Sequence, residues 1–179
     1  MLAYVFWHGP GSTDSIANYE AALAAFHRSL DPGEINGFHG SQAFVVEGAT
    51  WASSRVVYED WYFVDDFTAL GELNAAAVSG HRQRPHDDVA GMADEGTAGI
   101  YALRQGTARL SEAGQAAWFG KTAGVSYDEF YRRLGRRGSL WQRQMVLGPT
   151  PEFCSLDDDD TPRGAVTVTR VRTVAASTS

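Results

Sequence analysis

The sequence predicts an α+β fold of antiparallel sheets with helices on their outer faces. Strand-like and helix-like segments follow one another as β-α-β-β-α-β over residues 2–104. The rhythm restarts at Ala116 and runs through a shorter, incomplete β-α-β-β unit. A strictly alternating stretch, Gly164 to Val174, then reads as an amphipathic strand.

Leu2 to His8 is aromatic and β-branched and is stopped by Gly9-Pro10-Gly11, which predicts a buried strand. Ser12, Thr13, Asp14 and Ser15 are candidate N-caps. Ile16, Tyr19, Ala22, Leu23, Phe26 and Leu30 then recur at spacings of three and four, one apolar helical face that ends at Asp31-Pro32-Gly33. Residues 37–47 and 55–64 read as the second and third strands. Alternation in the third puts Val57, Glu59, Trp61 and Phe63 on one face and Val56, Tyr58, Asp60 and Tyr62 on the other. Asp65 or Asp66 can cap a helix from Phe67 to Val78. Gly80 to Pro85 should break that helix, with a short helical piece at 86–94 and a fourth strand at 98–104.

The order over this first stretch is that of a ferredoxin-like unit. It defines a first unit at 1–106 and a truncated second unit at 107–179 packed on it. In the second, residues 105–115 lead as a loop into a strand at Ala116–Lys121. Ser126 with Glu129 forms a capping box for a helix through Leu134, and strands follow at Leu140–Leu147 and Glu152–Leu156. The last residues, Ala175 to Ser179, should fray. One sheet face of the first unit is rich in aromatics and needs a partner, so a pocket is expected between the two sheets.

The chain of 179 residues carries a net charge of −7, which disfavours nucleic acid and anionic membrane surfaces as partners. Arg132, Arg133, Arg136 and Arg137 run against the trend and read as a solvated helix face. Cys154 is the single cysteine, so no internal disulfide is available. Met1 to His8 lacks the basic region and apolar length of a signal peptide, and no apolar run approaches the ~20 residues of a membrane span. The expected location is cytoplasmic.

Tyr58-Glu59-Asp60-Trp61-Tyr62 leads into a helix with Leu70, Leu73 and Val78, followed by His81-Arg82-Gln83-Arg84-Pro85-His86-Asp87-Asp88. With the element order over residues 2–174, this resembles the dimeric α+β barrel superfamily. Its members include antibiotic-biosynthesis monooxygenases, muconolactone-isomerase-like enzymes and stress-responsive A/B barrel proteins. The resemblance implies two ferredoxin-like sheets packed face to face, from two chains or from repeats within one. Some haem-degrading members use an Asn, a Trp and a haem-ligating His. Trp61 and His81 stand loosely for the last two, but His8 stands where the Asn is wanted, so haem chemistry is not carried over.

Among chemically suggestive residues, His81 and His86 are five apart, about 140° on a helix, and lack metal-site geometry. With Asp60 they are the candidate catalytic groups, because imidazole moves protons near neutrality and an inward carboxylate beside aromatics should have a raised pKa and could act as a base. Trp7, His8, Tyr58, Trp61, Tyr62 and Tyr101 are the candidate substrate-binding residues. No metal and no cofactor is expected. Asp157 to Asp160 lacks the spacing of a calcium loop and reads as a solvated acidic loop. Walker, G-x-G-x-x-G and G-x-S-x-G motifs are absent from the sequence. The leading expectation is a cofactor-independent monooxygenase or isomerase acting on an aromatic or polyketide-type substrate. The alternatives are a non-catalytic protein that binds or self-associates, as a homodimer, through its aromatic sheet face, and a haem-binding protein.

Overall fold

The computed structural model describes residues 1–108, 114–135, 138–145, 148–156 and 161–178. The strands are β1 (Leu2–Pro10), β2 (Phe38–Glu47), β3 (Val57–Val64), β4 (Ala93–Gly106), β5 (Gly114–Phe119), β6 (Ser139–Arg143), β7 (Phe153–Leu156) and β8 (Val166–Thr178). They form one closed antiparallel barrel in the order β1-β3-β2-β8-β5-β7-β6-β4, with β4 returning to β1. The expected pair of ferredoxin-like sheets is therefore corrected to a single eight-stranded barrel.

The reason lies in two seams that local patterning does not encode. Strand β8 continues through the residues expected to fray, pairing Ser41 with Ser177 and Ala43 with Ala175. Strand β4 pairs with β6, setting Leu103 opposite Trp141. Both seams consume the edges that two separate sheets would have left open.

An eight-stranded barrel is just wide enough for side chains to fill it. Ala3, Val5 and Trp7 of β1 and Glu59, Trp61 and Phe63 of β3 point inward. They meet Phe44, Tyr101, Trp118 and Trp141 there, and the interior tryptophans have no solvent exposure. Trp118 packs edge-on against Trp7, with ring centroids 5.0 Å apart. The aromatic face expected to need a partner is covered by the chain itself. The pocket expected between two sheets is thus replaced by packed aromatic core.

Among the described residues four helices coat the outside: α1 (Ile16–Ser29), α2 (Phe67–Ala77), α3 (Gly80–Ala90) and α4 (Tyr127–Leu134). Asp66 caps α2 by accepting from Ala69 N–H, and Ser126 caps α4 by accepting from Glu129 N–H. Helix α3 begins where a break was expected and carries Pro85 in its interior. The missing proline N–H removes one helical bond. Packing of α3 on α1, including Phe26 against the His86 ring at 5.6 Å, holds the helix through it. Helix α4 covers the other side of the barrel, setting Phe130 4.7 Å from Phe153. Its Arg132 and Arg133 pair with Glu129, as a solvated face would; Arg136, Arg137 and the Asp157–Asp160 run lie outside the described residues. Among the described residues, no helix is long and apolar enough to cross a membrane.

The turn after β2 depends on Gly48. Its φ is +91°, and a Cβ there would strike the Thr167 carbonyl at the start of β8. Gly48→Ala should cost about 1 kcal/mol or more and lower the melting temperature by at least about 2–4 °C. An unchanged urea midpoint would contradict this account of the β2–β8 seam.

Candidate functional site

The same alternation that turns Glu59 inward turns Tyr58, Asp60 and Tyr62 outward, toward the helices. On β1 it turns Tyr4, Phe6 and His8 the same way. Helices α1, α2 and α3 cover this face of the sheet without closing down on it. The space between them is a cavity of about 610 Å³. Most of its wall is apolar, including Phe6, Leu23, Phe26, Leu70 and Ile100. Its volume falls within the range of small-molecule sites.

One wall is polar, and it is organised around Asp60. This carboxylate is 1% exposed. Its Oδ2 accepts from the Tyr62 hydroxyl at 2.9 Å and lies 3.2 Å from His27 Nε2. His8 Nε2 stands 3.0 Å from the same oxygen. His27 is itself fully buried, and its Nδ1 is 2.7 Å from the Ser41 hydroxyl. His8 Nδ1 is hydrogen-bonded to the Tyr19 hydroxyl. A single chain of contacts therefore runs Ser41–His27–Asp60–His8–Tyr19.

Burial alone would push the Asp60 carboxyl up. The His8 and His27 rings beside it, and the His27 hydrogen bond, outweigh that and hold it well below the usual carboxylate range, the opposite of the rise expected from the sequence. Burial and the Asp60 charge together push the Tyr4, Tyr19 and Tyr62 hydroxyls up, so these stay protonated. Among the described residues, His8 Nε2 and Asp60 Oδ1 are buried without an aligned hydrogen-bond partner. Leaving such an atom unmade costs about 1–3 kcal/mol. Both belong to residues that line the cavity.

The sequence-predicted site residues separate into three groups. Asp60, His8, Tyr62 and His86 line the cavity. Tyr58 lies just behind, stacked on His8 at 5.8 Å and donating to Glu20. Trp7, Trp61 and Tyr101 are in the barrel interior, on the opposite side of the sheet. There both indole N–H groups donate to Glu59 at 2.8 Å, and the Tyr101 hydroxyl donates to Thr150 at 2.8 Å.

His81 and His86 part as their 140° spacing requires. His86 faces the cavity, while the His81 side chain is 61% exposed beside Glu34. Trp61 and His81 are thus not brought together. Among the described residues no group of three or more His, Cys, Asp and Glu is placed to hold a metal ion.

Sequence reasoning missed His27 and Tyr19 as polar partners. The signal was present for both. Tyr19 belongs to the apolar stripe of α1, and His27 lies four residues after Leu23 on that same stripe. A histidine there must be buried and must find partners.

No family model matches the chain, and no curated protein matches it. Among solved structures it is similar to the crystal structure of a presumed monooxygenase from Lactobacillus acidophilus NCFM. The TM-score is 0.58 at 11% identity, over 99% of this chain and 96% of that one. At that identity the likeness speaks for the fold alone.

Proposed function

We propose that this protein is a small-molecule enzyme that removes a proton from an aromatic or polyketide-type substrate, in a monooxygenase or isomerase reaction that needs no cofactor. One observation carries the reading. His8 Nε2, a buried base nitrogen without an aligned hydrogen bond, lies 3.0 Å from an ionised carboxylate at the wall of an apolar cavity. The presumed-monooxygenase neighbour, similar in fold, is consistent with it.

In the tautomer that donates Nδ1–H to the Tyr19 oxygen, His8 Nε2 offers a free lone pair. A phenol, or an enolisable ketone at its activated C–H, bound in the cavity gives its proton to that nitrogen. The imidazolium that forms is then stabilised by Asp60 Oδ2. The electron-rich anion left behind is sheltered by apolar walls. In the oxygenase case it reacts with dioxygen, so that 1-naphthol and O₂ give a naphthoquinone and water. In the isomerase case the same proton returns to another carbon.

The test is oxygen uptake with 1-naphthol, together with conversion of an enolisable ketone. Wild type should turn over at least one of them. His8→Ala should slow that turnover by about 10²–10⁴-fold, with the fold retained. Turnover unaffected by His8→Ala would remove His8 from the chemistry. No turnover of either compound, with both shown to bind, would sink the enzymatic reading.

A further inference from the structure

We infer that Gly71 sets the upper size of the substrate by keeping the mouth of the cavity open. This rests on reading the cavity as the substrate site. Helix α2 lines it with Phe67, Leu70, Gly71, Asn74 and Ala77. These spacings of three and one define a single stripe of the helix. Phe67 is 50% exposed, and Gly71 and Asn74 are exposed as well. The stripe is therefore the rim where the cavity meets solvent.

A glycine in the middle of a helix lowers stability relative to alanine. At Gly71 neither usual justification holds. Its φ is outside the left-handed region, so the backbone does not require glycine. A Cβ built there meets no heavy atom within 4 Å, so no neighbour approaches too closely for a side chain. What the missing side chain leaves is empty space at the rim. A leucine at 71 would project beside Phe67 and Asn74, each one helical turn away, and narrow the entrance. The cavity behind the rim is lined by Phe6, Phe26 and Leu70 and suits flat apolar bodies. The substrate class it implies is a fused-ring phenol or enol wider than two rings.

Two phenols of like chemistry and different width, 1-naphthol and 9-hydroxyphenanthrene, test this by titration calorimetry on the full chain. Gly71→Leu should weaken the three-ring phenol by about tenfold or more and leave 1-naphthol within about threefold, a difference calorimetry resolves. Gly71→Ala should weaken the three-ring phenol less, while raising the melting temperature by up to about 4 °C. Glu72→Leu, which places the same side chain at an exposed position off the cavity, should change neither affinity.

Unchanged three-ring binding in Gly71→Leu overturns the inference, as does an equal loss in Glu72→Leu. If Gly71→Leu does not fold, unchanged binding in Gly71→Ala overturns it. Wild type that binds neither phenol overturns the substrate-site reading itself. Wild type that binds both, with Gly71→Leu indistinguishable, overturns only the role of Gly71.

Discussion

Asp60→Ala should destabilise the fold by about 3–5 kcal/mol, the cost of removing one partner from a buried charged cluster. The Asp60 carboxylate is what His8, His27 and Tyr62 share, and its loss removes that common partner from all three. At this chain length the melting temperature should fall by roughly 10 °C. Asp60→Asn keeps the shape and removes the charge, so it separates stability from chemistry. Its turnover should drop by about 10²–10⁴-fold, because the imidazolium formed at His8 loses its counter-charge.

The pH dependence has a definite sign. The Asp60 pKa is depressed in the folded state, so its stabilisation is present above its ordinary value of 3.8 and lost as pH falls through the folded value. The Asn variant should therefore show its full deficit above about pH 5, shrinking toward pH 3. A deficit that grows in acid would contradict the cluster.

Glu59→Ala should be comparably damaging for a different reason, by about 2–6 kcal/mol at about 1–3 kcal/mol for each buried donor left unmade. Glu59 is fully buried in the barrel interior and accepts from both the Trp7 and Trp61 indoles. Removing it leaves two buried N–H donors without their acceptor. Burial pushes the Glu59 carboxyl up, against the pull of the indole bonds and the Arg170 charge. Its sign is thus opposite to that of Asp60. The deficit of Glu59→Gln should be largest in acid and shrink as pH rises from 4.5 through the raised folded value. Turnover per folded molecule should hold, because Glu59 lies across the sheet from the cavity. Loss of turnover in a fully folded Glu59→Gln protein would place chemistry in the interior instead.

These neighbours show what a sequence makes legible. Strand alternation separates Glu59 from Asp60 on opposite faces, because side chains on a pleated strand have a period of two. The spacing of the first helix marks the stripe that holds Tyr19 and His27. What alternation cannot specify is the partner of each strand. Ser41 and Ser177 pair across most of the chain, and no local pattern distinguishes that closure from two stacked sheets. The same gap misplaced the pocket. An aromatic sheet face reads alike whether it lines a cavity or fills a barrel, and only closure decides between them. His81 and His86 differ for a simpler reason. Gly80 and Pro85 hide a helix whose docking on α1 overrides local propensity, and the helix turns one histidine inward and the other out.

The proton abstraction assigned to His8 is most directly tested by exchange of the activated C–H protons of 2-tetralone in D₂O, followed by NMR. The account predicts exchange well above the buffer rate with wild-type protein, lost in His8→Ala and in Asp60→Asn but kept in folded Glu59→Gln. Exchange at the buffer rate while the ketone is bound, or exchange indifferent to His8, would contradict it.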